Sequence, residues 1–140
     1  MNVGKNTGKG GIYFMKNNLS AQQMKRLKDV FGDRVRFNKV ERIVYSHDQG
    51  MMPERIRSLF NCTPDAVVQP KTVEEVSTLA KIASEEKIPL VPRGAGSAGF
   101  GGSVPAKGGI VVDFVRMNKI KAIYSEKMLA TVEPGVIWNN

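Results

Sequence analysis

Seven of the chain's fourteen glycines, Gly94, Gly96, Gly99, Gly101, Gly102, Gly108 and Gly109, crowd into one stretch between two apolar runs. Glycine loses more conformational freedom on folding than any other residue, and it is needed where a backbone takes positive φ or approaches something closely. A cluster this dense excludes a regular helix or strand for residues 94–109 and predicts a long, shaped loop. Gly94-Ala95-Gly96-Ser97-Ala98-Gly99 has the spacing GxGxxG. In a Rossmann unit that spacing opens a helix. Here it runs into Phe100-Gly101-Gly102-Ser103-Val104-Pro105, which has no apolar periodicity and ends on proline. The expectation is an anion-binding nest, in which successive backbone N–H groups turn inward around phosphate oxygens. Ser97 adds a hydroxyl donor. The plainer alternative is a surface loop that holds nothing.

The flanks set the architecture. Ala66-Val67-Val68, closed by Pro70, reads as a short buried strand. Thr72 and Glu75 form a capping-box pattern. Val73, Val76, Leu79, Ala80 and Ala83 then line one helical face to about Glu86. Ile88-Pro89-Leu90-Val91 reads as a second strand, so strand–helix–strand predicts a parallel pair joined by a right-handed crossover. After the loop, Ile110-Val111-Val112-Asp113-Phe114 is a third strand. Lys119 to Tyr124 and Met128 to Glu133 are two more, with a turn near Ser125-Glu126-Lys127.

Upstream, Ser20 and Gln23 form another capping box ahead of Met24, Leu27 and Phe31, and Gly32 stands where a helix would end. This predicts a helix over 21–31 with a basic face of Lys25, Arg26 and Lys28. Val40, Ile43 and Val44 suit a short helix or strand, and Tyr45 to Gly50 reads as a loop. Residues 1–17, rich in Gly, Asn and Lys, read as a flexible arm, with Met15 as an alternative start. Three regions result: an arm over 1–17, an N-terminal helical segment over 18–60, and a sheet-based domain over 61–140.

The net charge of +8 is uneven: residues 1–60 hold 12 basic side chains against 5 acidic, and residues 61–140 hold 9 against 8. No zinc spacing and no basic run interleaved with aromatics accompanies that charge, so no nucleic-acid partner is expected. No apolar run approaches the roughly 20 residues of a membrane span. The single cysteine, Cys62, reads as a packed side chain and suits a reducing compartment, so a cytoplasmic setting is expected. One histidine, His47, in a polar loop offers neither a metal site nor a catalytic base.

An ordered set of segments resembles a known family. These are Pro64-Asp65-Ala66-Val67-Val68-Gln69-Pro70, Glu74-Glu75-Val76, Ile88 to Ser97, Gly109 to Phe114, Met117-Asn118-Lys119-Ile120 and Val132-Glu133-Pro134-Gly135-Val136. Together they are similar to the FAD-binding domain of the vanillyl-alcohol oxidase and p-cresol methylhydroxylase family (PCMH-type), nearest its glycolate oxidase and D-lactate dehydrogenase branch. The Tyr45 to Asp48 stretch also resembles a tyrosine-to-aspartate stretch of that branch.

The resemblance implies an α+β fold, the first subdomain of a PCMH-type FAD-binding domain. A small parallel or mixed sheet would be flanked by helices, incomplete at the C-terminus. It implies FAD as cofactor, with the pyrophosphate wrapped by Arg93, Gly94, Ala95, Gly96, Ser97 and Ala98, and by Gly101. Some relatives carry a flavin-bonding His at the position of Ser97, and a serine cannot make that bond. The implied parent is an FAD-dependent oxidoreductase acting on a 2-hydroxy acid such as glycolate or D-lactate, with an electron-acceptor protein as a further partner. Its catalytic residues would lie in later sequence, leaving this stretch inactive by itself. A non-catalytic nucleotide-binding or assembly module is the alternative. Met117 and Trp138 are expected to pack, Asp113 to end a strand, and Arg93 to contact a phosphate or a neighbouring carbonyl, or else to form a loop-fixing salt bridge.

Overall fold

The computed structural model describes residues 18–50, 53, 55 and 62–137. The arm expected over 1–17, the start at Met15 and the packing role of Trp138 lie outside the described residues. Helix α1 spans Ala21–Phe31, with the full capping box: the Ser20 hydroxyl accepts from the Gln23 N–H, and the Gln23 side chain accepts from the Ser20 N–H. Gly32 ends it at φ 58°, a left-handed value that glycine takes without a Cβ penalty. Strand β1 (Val35–Arg36) and helix α2 (Lys39–Val44, capped by Asn38) follow. Strand β2 (Ala66–Val68), helix α3 (Val73–Glu85), β3 (Leu90–Arg93) and β4 (Ile110–Asp113) complete the main unit. Strands β5 (Ile120–Tyr124) and β6 (Leu129–Val132) make a separate antiparallel pair.

The main sheet has the order β1-β2-β4-β3. β1 pairs antiparallel with β2, while β2 and β3 each run parallel to β4, so the sheet is mixed. β2 and β4 are buried at every position, as continuous apolar runs in the middle of a covered sheet should be. Alternate residues serve opposite faces: Ala66, Val68, Ile110 and Val112 join Leu27 and Phe31 of α1 and Leu79 and Ile82 of α3 in one core. β3 lies at an edge and is only half-buried, which accommodates Pro92, a residue that cannot donate to a ladder.

Five details depart from the sequence reading. The strand and helix of the expected crossover do not join adjacent strands, because β4 inserts between β2 and β3. The strand expected at Ile88–Val91 begins two residues later: Lys87 takes φ 53° and Ile88 donates back to the Ala83 carbonyl, so the chain is still unwinding from α3 there. The buried face of α3 is Leu79, Ile82 and Ala83, with Val73 and Ala80 exposed, because the helix is rotated about its axis relative to the apolar stripe of the sequence. β4 stops at Asp113, and Phe114 opens a short 3-10 turn. β1 adds a strand to a region read as helical.

The second capping box is only half formed. The Thr72 hydroxyl accepts from the Glu75 N–H, but the Glu75 carboxylate reaches elsewhere. It accepts from the Lys71 N–H and takes both terminal nitrogens of Arg34, at 2.5 and 2.6 Å. This fork clips the end of η1, the 3-10 turn Gly32–Arg34, onto the start of α3, and Arg34 also donates to the Gln69 carbonyl. The side chains are 14% and 25% exposed, so the pair is shielded more than the surface bridges from Arg26 to Glu85 and Glu86. The Arg34 bonds hold the Glu75 carboxyl below its ordinary range.

A folded-state value below the unfolded one stabilises above the ordinary carboxylate pKa, and that contribution fades as pH falls through the lowered value. Glu75→Gln is therefore expected to cost about 1–2 kcal/mol at pH 7. The gap to the parent protein should begin to narrow below about pH 4 and go on narrowing as pH falls further. Urea unfolding of both proteins at pH 7 and pH 3 measures this; equal gaps at the two pH values would contradict the ion-pair account.

Candidate functional site

β3 and β4 are parallel neighbours joined directly by residues 94–109. Such a connection must carry the chain back along the strands, and a helix ordinarily does this. A helix pairs its own N–H groups. This crossover has none, and among the described residues the six consecutive N–H groups from Ala95 to Phe100 donate to no protein acceptor. Gly96 lies at φ 67° and Gly101 at φ 77°, left-handed values that bend the strand exit into a cup. Ala95, Ser97 and Ala98 are small and exposed around it. The Ser103 hydroxyl, buried further along, also lacks a partner.

The cup rests on the turn that follows α2. Asp48 is buried, and its two carboxylate oxygens accept from the Gly101 N–H at 2.8 Å and the Gly50 N–H at 3.0 Å. The Gln49 N–H donates to the Gly96 carbonyl at 3.3 Å. Arg93 folds beneath the loop, donates to the His47 carbonyl at 2.7 Å, and stacks 5.1 Å from the centre of the Tyr45 ring. The Tyr45 hydroxyl donates to Asp113 at 2.6 Å. At the far end Asp65, also buried, accepts from the Gly109 N–H at 2.9 Å, and its own N–H donates to the Gly109 carbonyl.

The structure places the residues expected to shape the loop. Gly94, Ala95, Gly96, Ser97 and Ala98 form the open arm of the loop. Arg93 takes the carbonyl contact, one of the alternatives considered for it. The N–H of Gly101 is taken by Asp48, so this glycine shapes the cup from its edge. Asp113 does more than end a strand: it is buried and accepts from Tyr45, from the Gln69 side chain and from the Val115 N–H. Nothing in the apolar pattern marks it as a hub. His47 is exposed, Cys62 and Met117 are buried, and Gly135 sits so close that a Cβ would fall 1.9 Å from the Phe114 carbonyl oxygen.

A second concavity, an open groove lined by Gln69, Lys71, Thr72, Val115, Arg116 and Lys119 among others, includes no residue of the loop. It shares the carboxyl edge of the parallel strands with the loop's start, the edge at which open α/β sheets hold their ligands. Among the described residues no group of three or more His, Cys, Asp or Glu is arranged to hold a metal ion, and no helix is long and apolar enough to cross a membrane.

A sheet carrying a helix-free parallel crossover with unpaired N–H groups is the frame of a nucleotide-phosphate binder. Residues 64–140 match the FAD binding domain family, and the chain belongs to that family; FAD is its cofactor. The residues present fit that group: six free donors on an exposed arm of small residues, Ala95, Ser97 and Ala98 among them, suit a pyrophosphate. Among curated proteins, the chain is 43% identical to the glycolate oxidase subunit of Bacillus subtilis over 96 residues, 69% of this chain and 19% of that one. It is 33% identical to the mitochondrial cytochrome-dependent D-lactate dehydrogenase of Arabidopsis thaliana over 113 residues, again 19% of the relative. Among solved structures it resembles p-cresol methylhydroxylase with substrate bound, at 27% identity and a TM-score of 0.68, over 85% of this chain and 24% of that one. The chain thus spans about a fifth of the length of the curated relatives it matches.

The Tyr45 phenol is pushed up to about 12, first by burial and then by its hydrogen bond to Asp113, with the Gln69 side chain and then the Arg93 charge working against the shift. A raised value favours the neutral phenol, so the stability it carries is present below pH 10 and is lost as pH rises through 12. In ultraviolet titration one phenol should ionise about two units after an ordinary tyrosine, and Tyr45→Phe should remove that late phase. A late phase that survives the substitution would place the shifted phenol elsewhere.

Proposed function

We propose that the open arm of the loop is the pyrophosphate site of FAD. Gly94, Ala95, Gly96, Ser97 and Ala98 supply backbone N–H groups and the Ser97 hydroxyl, while Arg93 and Gly101 shape the loop from below and from its edge. The observation that carries this reading is the run of six unpaired N–H groups from Ala95 to Phe100 in a fold of the FAD binding domain family. Donors fixed before the ligand arrives bind it without a further ordering cost. Arg93, which already donates to His47, lends the site positive charge from beneath rather than direct coordination.

The protein that carries this chain is an FAD-dependent oxidoreductase in this reading, and its substrate is a 2-hydroxy acid of the glycolate or D-lactate kind. The similarity to a glycolate oxidase subunit and to a D-lactate dehydrogenase supports that substrate class. Bound FAD supplies the acceptor for the two electrons that leave the hydroxyl-bearing carbon. The chain's own residues hold the phosphate end, and an electron-acceptor protein is a fitting further partner. A single, buried cysteine suits a cytoplasmic setting.

Two outcomes test the proposal. Acid precipitation of the purified holoprotein should release intact FAD, with no FMN and no flavin left on the peptide spanning residues 88–110, because Ser97 has no nucleophilic ring nitrogen. Gly96→Val should abolish FAD retention: a Cβ there lies 2.5 Å from the Arg93 guanidinium, and the left-handed φ adds strain of about 1–2 kcal/mol. Gly94→Val meets the Pro134 carbonyl at 3.3 Å and is expected to act in the same direction. Full flavin occupancy in both variants would move the phosphate site away from this loop.

A further inference from the structure

We propose that the Tyr45–Asp48 turn is the template that holds the phosphate loop in its binding shape, with Tyr45 and Asp48 as positioning residues for the cofactor's pyrophosphate. The inference rests on the reading of the loop as that site. A glycine-rich segment with unpaired N–H groups has no ladder to keep it in one conformation, and a ligand that had to order it would lose affinity. The order must come from outside the loop.

The turn supplies it at four places. Asp48 holds Gly101, the Gln49 N–H holds the Gly96 carbonyl, the His47 carbonyl holds the Arg93 guanidinium, and the Tyr45 ring lies against that guanidinium. Gly50 and Gly99 meet backbone to backbone, so closely that a Cβ on Gly50 would fall 2.0 Å from the Gly99 carbonyl oxygen. Tyr45 is itself fixed by Asp113 at the end of β4, which ties the turn to the sheet.

The charge of Asp48 strengthens the case. A carboxylate beside a phosphate site repels the ligand. Among the described residues no cation pairs with Asp48, and both its oxygens accept from backbone N–H groups of the loop and its own turn. Its place there is explained by the geometry it enforces, and Arg93 beneath the same loop offsets the charge. Arg93 is held in that position by His47 and Tyr45.

The test compares Asp48→Ala, Asp48→Asn, Tyr45→Leu and Tyr45→Phe in the protein that carries this chain, with Gly96→Val alongside. The measurements are FAD affinity, ADP affinity and the apo melting temperature. Asp48→Ala and Tyr45→Leu should each weaken FAD and ADP alike, by at least about tenfold, and by more than any fall in apo melting temperature accounts for. Tyr45→Phe keeps the ring against Arg93 and should stay within about threefold of the parent. Asp48→Asn retains one acceptor oxygen and should fall between the parent and alanine, which keeps the measurement available if the alanine variant does not fold.

Unchanged affinities in the Asp48 and Tyr45 variants, with Gly96→Val still abolishing binding, would overturn the template and leave the pyrophosphate reading standing. Affinity lost only in step with the apo melting temperature, and no rescue by phenylalanine, would reduce both residues to ordinary structural roles and overturn it too. Retention of FAD by Gly96→Val would remove the reading on which the inference rests.

Discussion

The direct parallel connection between β3 and β4 is the constraint on which this molecule turns. Two parallel neighbours need a return path along the strands, and the usual helix pairs every N–H group beyond its first turn. This chain makes the return with a stretch dominated by seven glycines and interrupted by Pro105, too costly in backbone entropy to build a helix. The cost is a stretch of backbone, Ala95 to Phe100, whose N–H groups find no protein acceptor among the described residues. The gain is a row of donors at the carboxyl edge of a parallel sheet, where helix-borne α/β proteins also place their phosphates by other means. The same chemistry thus arises here from a missing helix rather than from the start of one.

A loop built this way needs anchors that do not compete for its free donors. Buried carboxylates supply them. Asp65 fixes the end that re-enters β4, Asp48 fixes the middle at Gly101, and Asp113 fixes Tyr45 beneath Arg93. Each is nearly fully buried, and each accepts from at least two donors, as a buried charge must to remain tolerable. Arg42, buried beside Asp65, donates to the Pro64 carbonyl and ties α2 to the entrance of β2. Segments far apart in sequence are therefore held by polar contacts at the rim of the sheet, while the apolar core holds its middle.

How much of this was legible beforehand follows from the range of the interactions. Helix α1 could be read in full because Ser20, Gln23 and Gly32 act within a few residues of one another. The central strands could be read because total burial leaves continuous apolar runs. The insertion of β4 between β2 and β3 could not, since pairing order is a property of three strands at once. The α3 face was misjudged because Val73 and Ala80 are apolar but turned outward. In the site, glycine density marked the loop, whereas the partners of Arg93 and the hub at Asp113 depend on contacts across 46 and 68 residues. Only the resemblance of the Tyr45 to Asp48 stretch hinted at them.

The contact between Gly50 and Gly99 bears on how such a domain can change over generations. Gly50 leaves room for the Gly99 backbone, so a side chain at Gly50 cannot be accepted while Gly99 stays where it is, whereas a Cβ on Gly99 would lie an ordinary 3.7 Å from Gly50. The exposed positions of the loop, Ala95, Ser97 and Ala98, meet no such barrier and are open to drift toward other small residues. Inheritance in this site is therefore uneven: the residues that face solvent are the freer ones, and the position barred to any side chain lies in the turn beneath the loop rather than in the loop itself.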